Sequence, residues 1–214
     1  MDSAIAVSSI EYVLGYLSGR NIRPDDVCFE IDPVDPKNSI LTVKYFPEVD
    51  KHMVLSVYGT NDFSIHEVID DIYHSGLESM KAVQYVKQPN LGTIRYHMNE
   101  LAKHFQAIDY QNWESWMDAI YNNGLQNQTV SLVDFAVGFL DARNITYQWD
   151  TTFFNRITIS VGWQNLTNII IASELDGVQF VYEEYHFSSR PSPVRYHDVS
   201  LYELDSNLRR WFDM

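Results

Sequence analysis

The chain has 214 residues, 45% of them hydrophobic, enough to bury one large core or two small ones. Fifteen Lys and Arg stand against 29 Asp and Glu, a formal net charge of −14 that repels nucleic-acid phosphates and anionic membrane surfaces. No apolar run reaches the length of a transmembrane helix, no basic segment opens the chain, and the single cysteine, Cys28, has no internal partner, so a cytoplasmic protein is expected.

The spacing predicts a first helix over 8–20. Ile10, Val13, Leu14 and Leu17 step i, i+3, i+4 and i+7, and Ser8 with Glu11 has the spacing of a capping box. Arg20 then complements the helix dipole, and Asn21 tolerates a left-handed cap. The same segment returns at 130–145, where seven of sixteen positions are identical at an offset of 123: Val7/Val130, Ser8/Ser131, Gly15/Gly138, Leu17/Leu140, Arg20/Arg143, Asn21/Asn144 and Ile22/Ile145. Convergence of two amphipathic helices would explain the apolar positions but neither the shared glycine nor the Arg-Asn-Ile ending. The chain is therefore read as a duplication.

Strand-like runs follow at 27–31, 39–46 and 53–58, and again at 145–149, 156–161 and 168–172. Alternation at Leu41, Val43 and Tyr45 implies one buried face per sheet, and the short connections imply antiparallel meanders. In copy one, Ser64 and Glu67 read as a capping box opening a short helix through Val68, Ile69 and Ile72. A hairpin is expected next, from 80–87 through a Pro89-Asn90-Leu91-Gly92 turn to 93–98. Trp113, Trp116, Met117 and Ile120 then step as a closing helix. Copy two has no obvious middle helix; it continues with strands at 178–187 and 193–198. A helix capped by Ser200 and Glu203 ends it, with Leu204, Leu208, Trp211 and Phe212 facing inward.

The fold class expected is α+β, with two tandem similar halves, each an antiparallel sheet with flanking helices. The first repeat would span 1–124, a polar linker 125–130, and a second, shorter repeat 131–214. The order helix, three strands, helix, hairpin, helix resembles the type III secretion chaperone-like fold, including its bacterial relatives that carry such domains in tandem. That resemblance implies small, acidic, non-catalytic proteins, dimeric or pseudo-dimeric, that bind polypeptide segments along a sheet or helix surface.

Catalytic signatures are absent: there is no phosphate-binding glycine loop, nucleophile elbow or zinc-protease motif. Cys28, between Val27 and Phe29 in a strand of an acidic protein, reads as a packed thiol. His66, Glu67, Asp70 and Asp71 read as a solvated acidic helix face rather than metal ligands, and no cofactor is expected. Three Asn-x-Thr triplets, at Asn127, Asn144 and Asn165, read as accidents of an Asn-rich chain. Arg95-Tyr96-His97 recurs as Arg195-Tyr196-His197 at an offset of 100, each expected at its copy's last strand with the tyrosine packed. Aromatic residues are 14% of the chain, and Tyr182, Tyr185, Phe187, Trp113 and Trp116 are the candidate partner-binding anchors.

These features point to a non-enzymatic protein whose two halves form an intramolecular pseudo-dimer and bind another protein, chaperone-like or as an adaptor or inhibitor, through a basic surface of that partner. A homodimer is compatible with this reading. Two alternatives stand beside it: an acidic nucleic-acid mimic from a phage or mobile element that blocks a defence enzyme, and an enzyme using the paired Arg-Tyr-His segments.

Overall fold

A computed structural model describes residues 8–21, 27–30, 32, 34–48, 51–70, 78–104, 131–150, 155–161, 167–173, 179–185, 194–197 and 199–212. The chain forms two compact units. One gathers Met1–Ile10 with Asn21–Gln128, the other Glu11–Arg20 with Thr129–Met214. Each carries a five-stranded antiparallel meander, so the fold is α+β with two roughly similar halves.

In the first unit the strands are β1 (Val27–Glu30), β2 (Ile40–Glu48), β3 (Lys51–Tyr58), β4 (Phe63–Asp70) and β5 (Glu78–Val86), paired in chain order. Leu41, Val43, Leu55, Val57, Phe63 and Ile65 alternate onto the buried face, the period-2 pattern that fixes register. The β3–β4 turn holds Asn61 in the left-handed region (φ 65°), and its side-chain oxygen accepts from the Ser9 N–H at 3.1 Å, where the helix α1 (Ser9–Arg20) begins. After β5 comes α2 (Leu91–Leu101), which buries Leu91, Ile94, Met98 and Leu101.

Two expectations fail here. Residues 63–70 are a strand, not a helix: Ser64 and Glu67 fit a capping box, but Phe63 and Ile65 alternate with Ser64 and His66, and the strand pairs with β3 from Phe63 to Ile69. The expected second arm of the hairpin, 93–98, is instead helical. Asn90 is not a turn residue but an N-cap, its side-chain oxygen accepting the Thr93 N–H at 2.9 Å, and the apolar residues that follow have the helical period. The order among the described residues is thus helix, five strands, helix in each half, without the middle helix. The expected closing helix at Trp113 lies outside the described residues.

The second unit holds α3 (Leu132–Ala142), then β6 (Gln148–Asp150), β7 (Asn155–Val161), β8 (Thr167–Ser173), β9 (Gln179–Tyr185) and β10 (Val194–His197), again paired in chain order, and α4 (Leu201–Phe212). α3 packs on β7 and β8 and against α4. Its other neighbour is the 11–20 stretch of α1, and the contact repeats the duplication. A Cβ on Gly15 would collide with the Phe135 carbonyl, and one on Gly138 with the Tyr12 carbonyl. Tyr12 and Phe135 are themselves repeat equivalents, so the two helices meet at matching positions. Backbones that close exclude any side chain at the crossing, and burial runs round α3 rather than along one stripe.

The helix ends match too. Asn21 (φ 51°) and Asn144 (φ 56°) both take the left-handed conformation expected of them, and the Ile145 N–H reaches back to the Leu140 carbonyl at 2.9 Å. Arg20 lies over Tyr16 (5.8 Å) as Arg143 lies over Phe139 (5.1 Å). Burial pushes the Tyr16 hydroxyl above its ordinary pKa, against the opposing pull of Arg20. At the other end of the chain the α4 capping box forms reciprocally: Ser200 N–H donates to Glu203 at 2.8 Å and Glu203 N–H to Ser200 Oγ at 3.2 Å. Leu204 and Leu208 are buried as expected, but Trp211 and Phe212 are only half-buried, and Asp205 and Arg209 take the interior positions. Arg209, 2% exposed, donates to Asp205 at 3.0 Å and to the Ser18 carbonyl and hydroxyl at 2.9 and 2.7 Å, while Ser18 donates to Asp205. The buried charge is tolerated because every partner is in place.

Candidate functional site

The four sheet edges differ in length. β1, β6 and β10 have four, three and four residues; β5 has nine. A short edge offers few unpaired backbone groups, which is one way proteins avoid unwanted strand addition. Among the described residues nothing pairs with the outer side of β5. Its pairing with β4 shifts register between Ile65 and His66, which leaves two regular stretches, Asp70↔Glu78 to His66↔Ala82 and Ile65↔Gln84 to Phe63↔Val86. The first alone exceeds any other edge.

Local chemistry holds an aromatic ring at the end of this edge. Tyr85 is 56% exposed, yet its hydroxyl donates to Asp62 at 2.8 Å. The other oxygen of the same carboxylate accepts the Gln88 N–H at 2.9 Å, with Gln88 at φ 40° closing the chain around it. The Gln88 N–H and then the Tyr85 hydroxyl hold Asp62 below the ordinary carboxylate range, and the same hydrogen bond raises the Tyr85 phenol. Ser64 lies opposite Tyr85 in register, so the ring ends a cross-strand row of small hydroxyl residues, Thr42, Ser56 and Ser64.

On the α2 side, Tyr96 is 61% exposed and His97 packs edge-on against Phe63 (5.1 Å) and Tyr96 (5.2 Å). Burial lowers the His97 pKa below 6.5, with Glu100 opposing. Ser64 Oγ also approaches His66 Nδ1, at 3.5 Å, and Tyr58 Oη at 3.3 Å. That serine is almost wholly buried and the imidazole contact exceeds the ~2.6–3.2 Å of a nucleophile–base pair, so the row is a polar packing feature.

The expected site residues are dispersed. Arg95, Tyr96 and His97 stand on α2 and not in a strand, whereas Arg195, Tyr196 and His197 stand in β10. The two segments are therefore not structural equivalents, and Tyr96 is exposed where a packed ring was expected. Tyr182 is half-buried on β9 between Ile170 of β8 and Arg195 of β10. Tyr185 pairs with Thr167, three positions on and hence of opposite parity in the pleat. Phe187, Trp113 and Trp116 lie outside the described residues. Cys28 is in β1, and His66, Glu67 and Asp70 are in β4, so the helix face that would have grouped the acids does not exist.

Tyr85 is not among the anchors expected from sequence, and the expected hairpin arm at 93–98 is the α2 helix instead. The signal was there in Asn90, an N-cap residue placed just before apolar positions of helical spacing. Among the described residues no helix is long and apolar enough to cross a membrane. No protein family, curated protein or solved structure matches the chain.

Proposed function

We propose that this is a non-enzymatic protein-binding protein that takes an extended segment of its partner as an added strand on β5. The observation that carries the reading is the nine-residue edge among three short ones, with Tyr85 fixed beside it. Main-chain hydrogen bonds along β5 would supply affinity. Alternate side chains of the incoming strand would point to the two faces of the sheet, one of them bearing Tyr85. A ring already tied to Asp62 loses little freedom on binding, which favours a hot-spot role. The net charge of −14 favours a segment rich in Lys and Arg and guides its approach. Work in the cytoplasm, and a pseudo-dimeric pairing of the two halves, belong to the same proposal. Polypeptide binding is also what the chaperone-like resemblance implies, although the middle helix of that fold is a strand here.

Panning a random linear peptide library against the full chain tests this. Enriched peptides are expected to be basic with alternating apolar positions, and to slow hydrogen exchange along 78–86. Tyr85→Ala is expected to raise their dissociation rate roughly tenfold or more. Peptides that protect other segments and ignore Tyr85→Ala would overturn the assignment of the edge. Ligands whose binding depends on salt alone would favour the acidic-mimic alternative.

A further inference from the structure

We infer that the outer face of the second sheet carries a separate site for a small uncharged polyhydroxylated molecule, a sugar or a cyclitol. A hollow of about 280 Å³ opens there, lined by Thr146, Tyr147, Gln148, Thr158 and Ser160. Strand register builds it. Gln148 and Thr158 are directly opposed across β6 and β7, and Ser160, two positions further along β7, falls on the same face. Ser160 Oγ donates to Asn168 Oδ1 of β8 at 2.9 Å, extending the polar row across a third strand.

Tyr147 is held in place rather than loosely exposed. Its hydroxyl donates to one oxygen of Asp141 at 3.1 Å, while the other accepts the Tyr12 hydroxyl at 2.8 Å, and its ring lies 6.3 Å from that of Trp149. Among the described residues the lining thus offers three aliphatic hydroxyls and a carboxamide, with the anchored Tyr147 beside them.

Ligand class follows from that inventory. A carboxamide and hydroxyls can each donate and accept, which matches adjacent ligand hydroxyls that do the same. None of the described lining residues carries a formal charge, and the nearby Arg156 and Asp150 neutralise each other at 2.9 Å. Among the described lining residues an anion would find no cation to pair with, and it would meet the field of a −14 chain; an ammonium would find no carboxylate there. The volume sits just below the ~300–1,000 Å³ of drug-sized pockets, so a single ring is accommodated rather than a chain.

The test is amide chemical-shift titration of the full chain with glucose and with myo-inositol, using glucose 6-phosphate as the charged control. Saturable shifts are expected at 146–148 and 158–160 with at least one neutral probe, and weaker binding of the phosphate. The exposed substitution Gln148→Ala should weaken the neutral probe roughly tenfold, the loss of a paired polar contact, while leaving the rest of the spectrum in place. Thr158→Val should act in the same direction. The inference is overturned if neither neutral probe gives saturable shifts at those amides, if glucose 6-phosphate binds as well as glucose, or if both substitutions leave affinity unchanged. Tyr85→Ala leaves this site untouched, so its failure and that of the β5 reading are told apart.

Discussion

Gly15 and Gly138 show how a single residue type decides whether two helices can touch. Alanine is the better helix former by about 1 kcal/mol, so on an exposed face Gly→Ala would stabilise. Here the added methyl would enter the carbonyl of Phe135 or Tyr12, and the helices must part. Gly15→Ala and Gly138→Ala are each expected to destabilise by about 1–3 kcal/mol, the usual cost of overpacking, read from chemical denaturation. An increase in stability for either would show that the crossing is not as close as described. His97 gives a second test. Its burial against Phe63 favours the neutral imidazole, so the folded pKa lies below the unfolded value near 6.5 and the unfolded chain binds the proton more readily. This contribution to stability is complete above about pH 6.5 and is lost as pH falls from there through the folded pKa. The melting temperature should fall over that window, and fall less in His97→Gln.

At the level of elements, the junction from β5 to α2 is the most consequential segment of the first unit. Asn90 satisfies the Thr93 N–H and hydroxyl at 2.9 and 3.0 Å, and those two bonds mark where extended chain gives way to helix. Asn90→Ala should cost about 1 kcal/mol, the ordinary loss of an N-cap, measured by thermal or denaturant melts. The loss should appear first as faster exchange of the α2 amides. If α2 keeps its protection, the cap is not what starts the helix. The same junction gives β5 its character, because a second hairpin arm in place of α2 would have paired with it. In the second unit the corresponding fifth strand, β10, also leads to a helix but has only four residues.

For the whole molecule the dominant property is charge. On the proposed reading, the −14 of a chain short of Lys and Arg would steer encounter with a basic segment at long range, whereas the edge of β5 and Tyr85 would act only on contact. Raising salt from low ionic strength shortens screening to about 8 Å at 0.15 M. The association rate of a basic peptide is therefore expected to fall with salt while its dissociation rate changes little, as stopped-flow or surface kinetics would show. Tyr85→Ala should do the reverse. A dissociation rate that follows salt would place the acids inside the interface rather than around it.

Much of this organisation was legible before any coordinates. The duplicated helix, its Arg-Asn ending, the paired strands at 27–31, 39–46 and 53–58, and the capping box at Ser200 all follow from local rules of period, cap and turn, and local rules act wherever those residues stand. The two misread segments are places where local signals conflict. Ser64 and Glu67 match a cap, but a strand whose alternate residues can be buried against β3 gains more from pairing than an isolated short helix would. Pro89-Asn90-Leu91-Gly92 reads as a hairpin turn, but burial of Leu91, Ile94, Met98 and Leu101 together makes it a helix start. The candidate site was less legible still. Residue names gave an excess of aromatic rings, but which ring is held at a sheet edge depends on what lies beside β5, and which hydroxyls share a hollow depends on register between β6 and β7. Sequence alone determined the repeat, the charge and most of the elements, because those depend on neighbours in the chain. Only the tertiary structure decided exposure, helix contact and site, because those depend on residues brought together from distant positions.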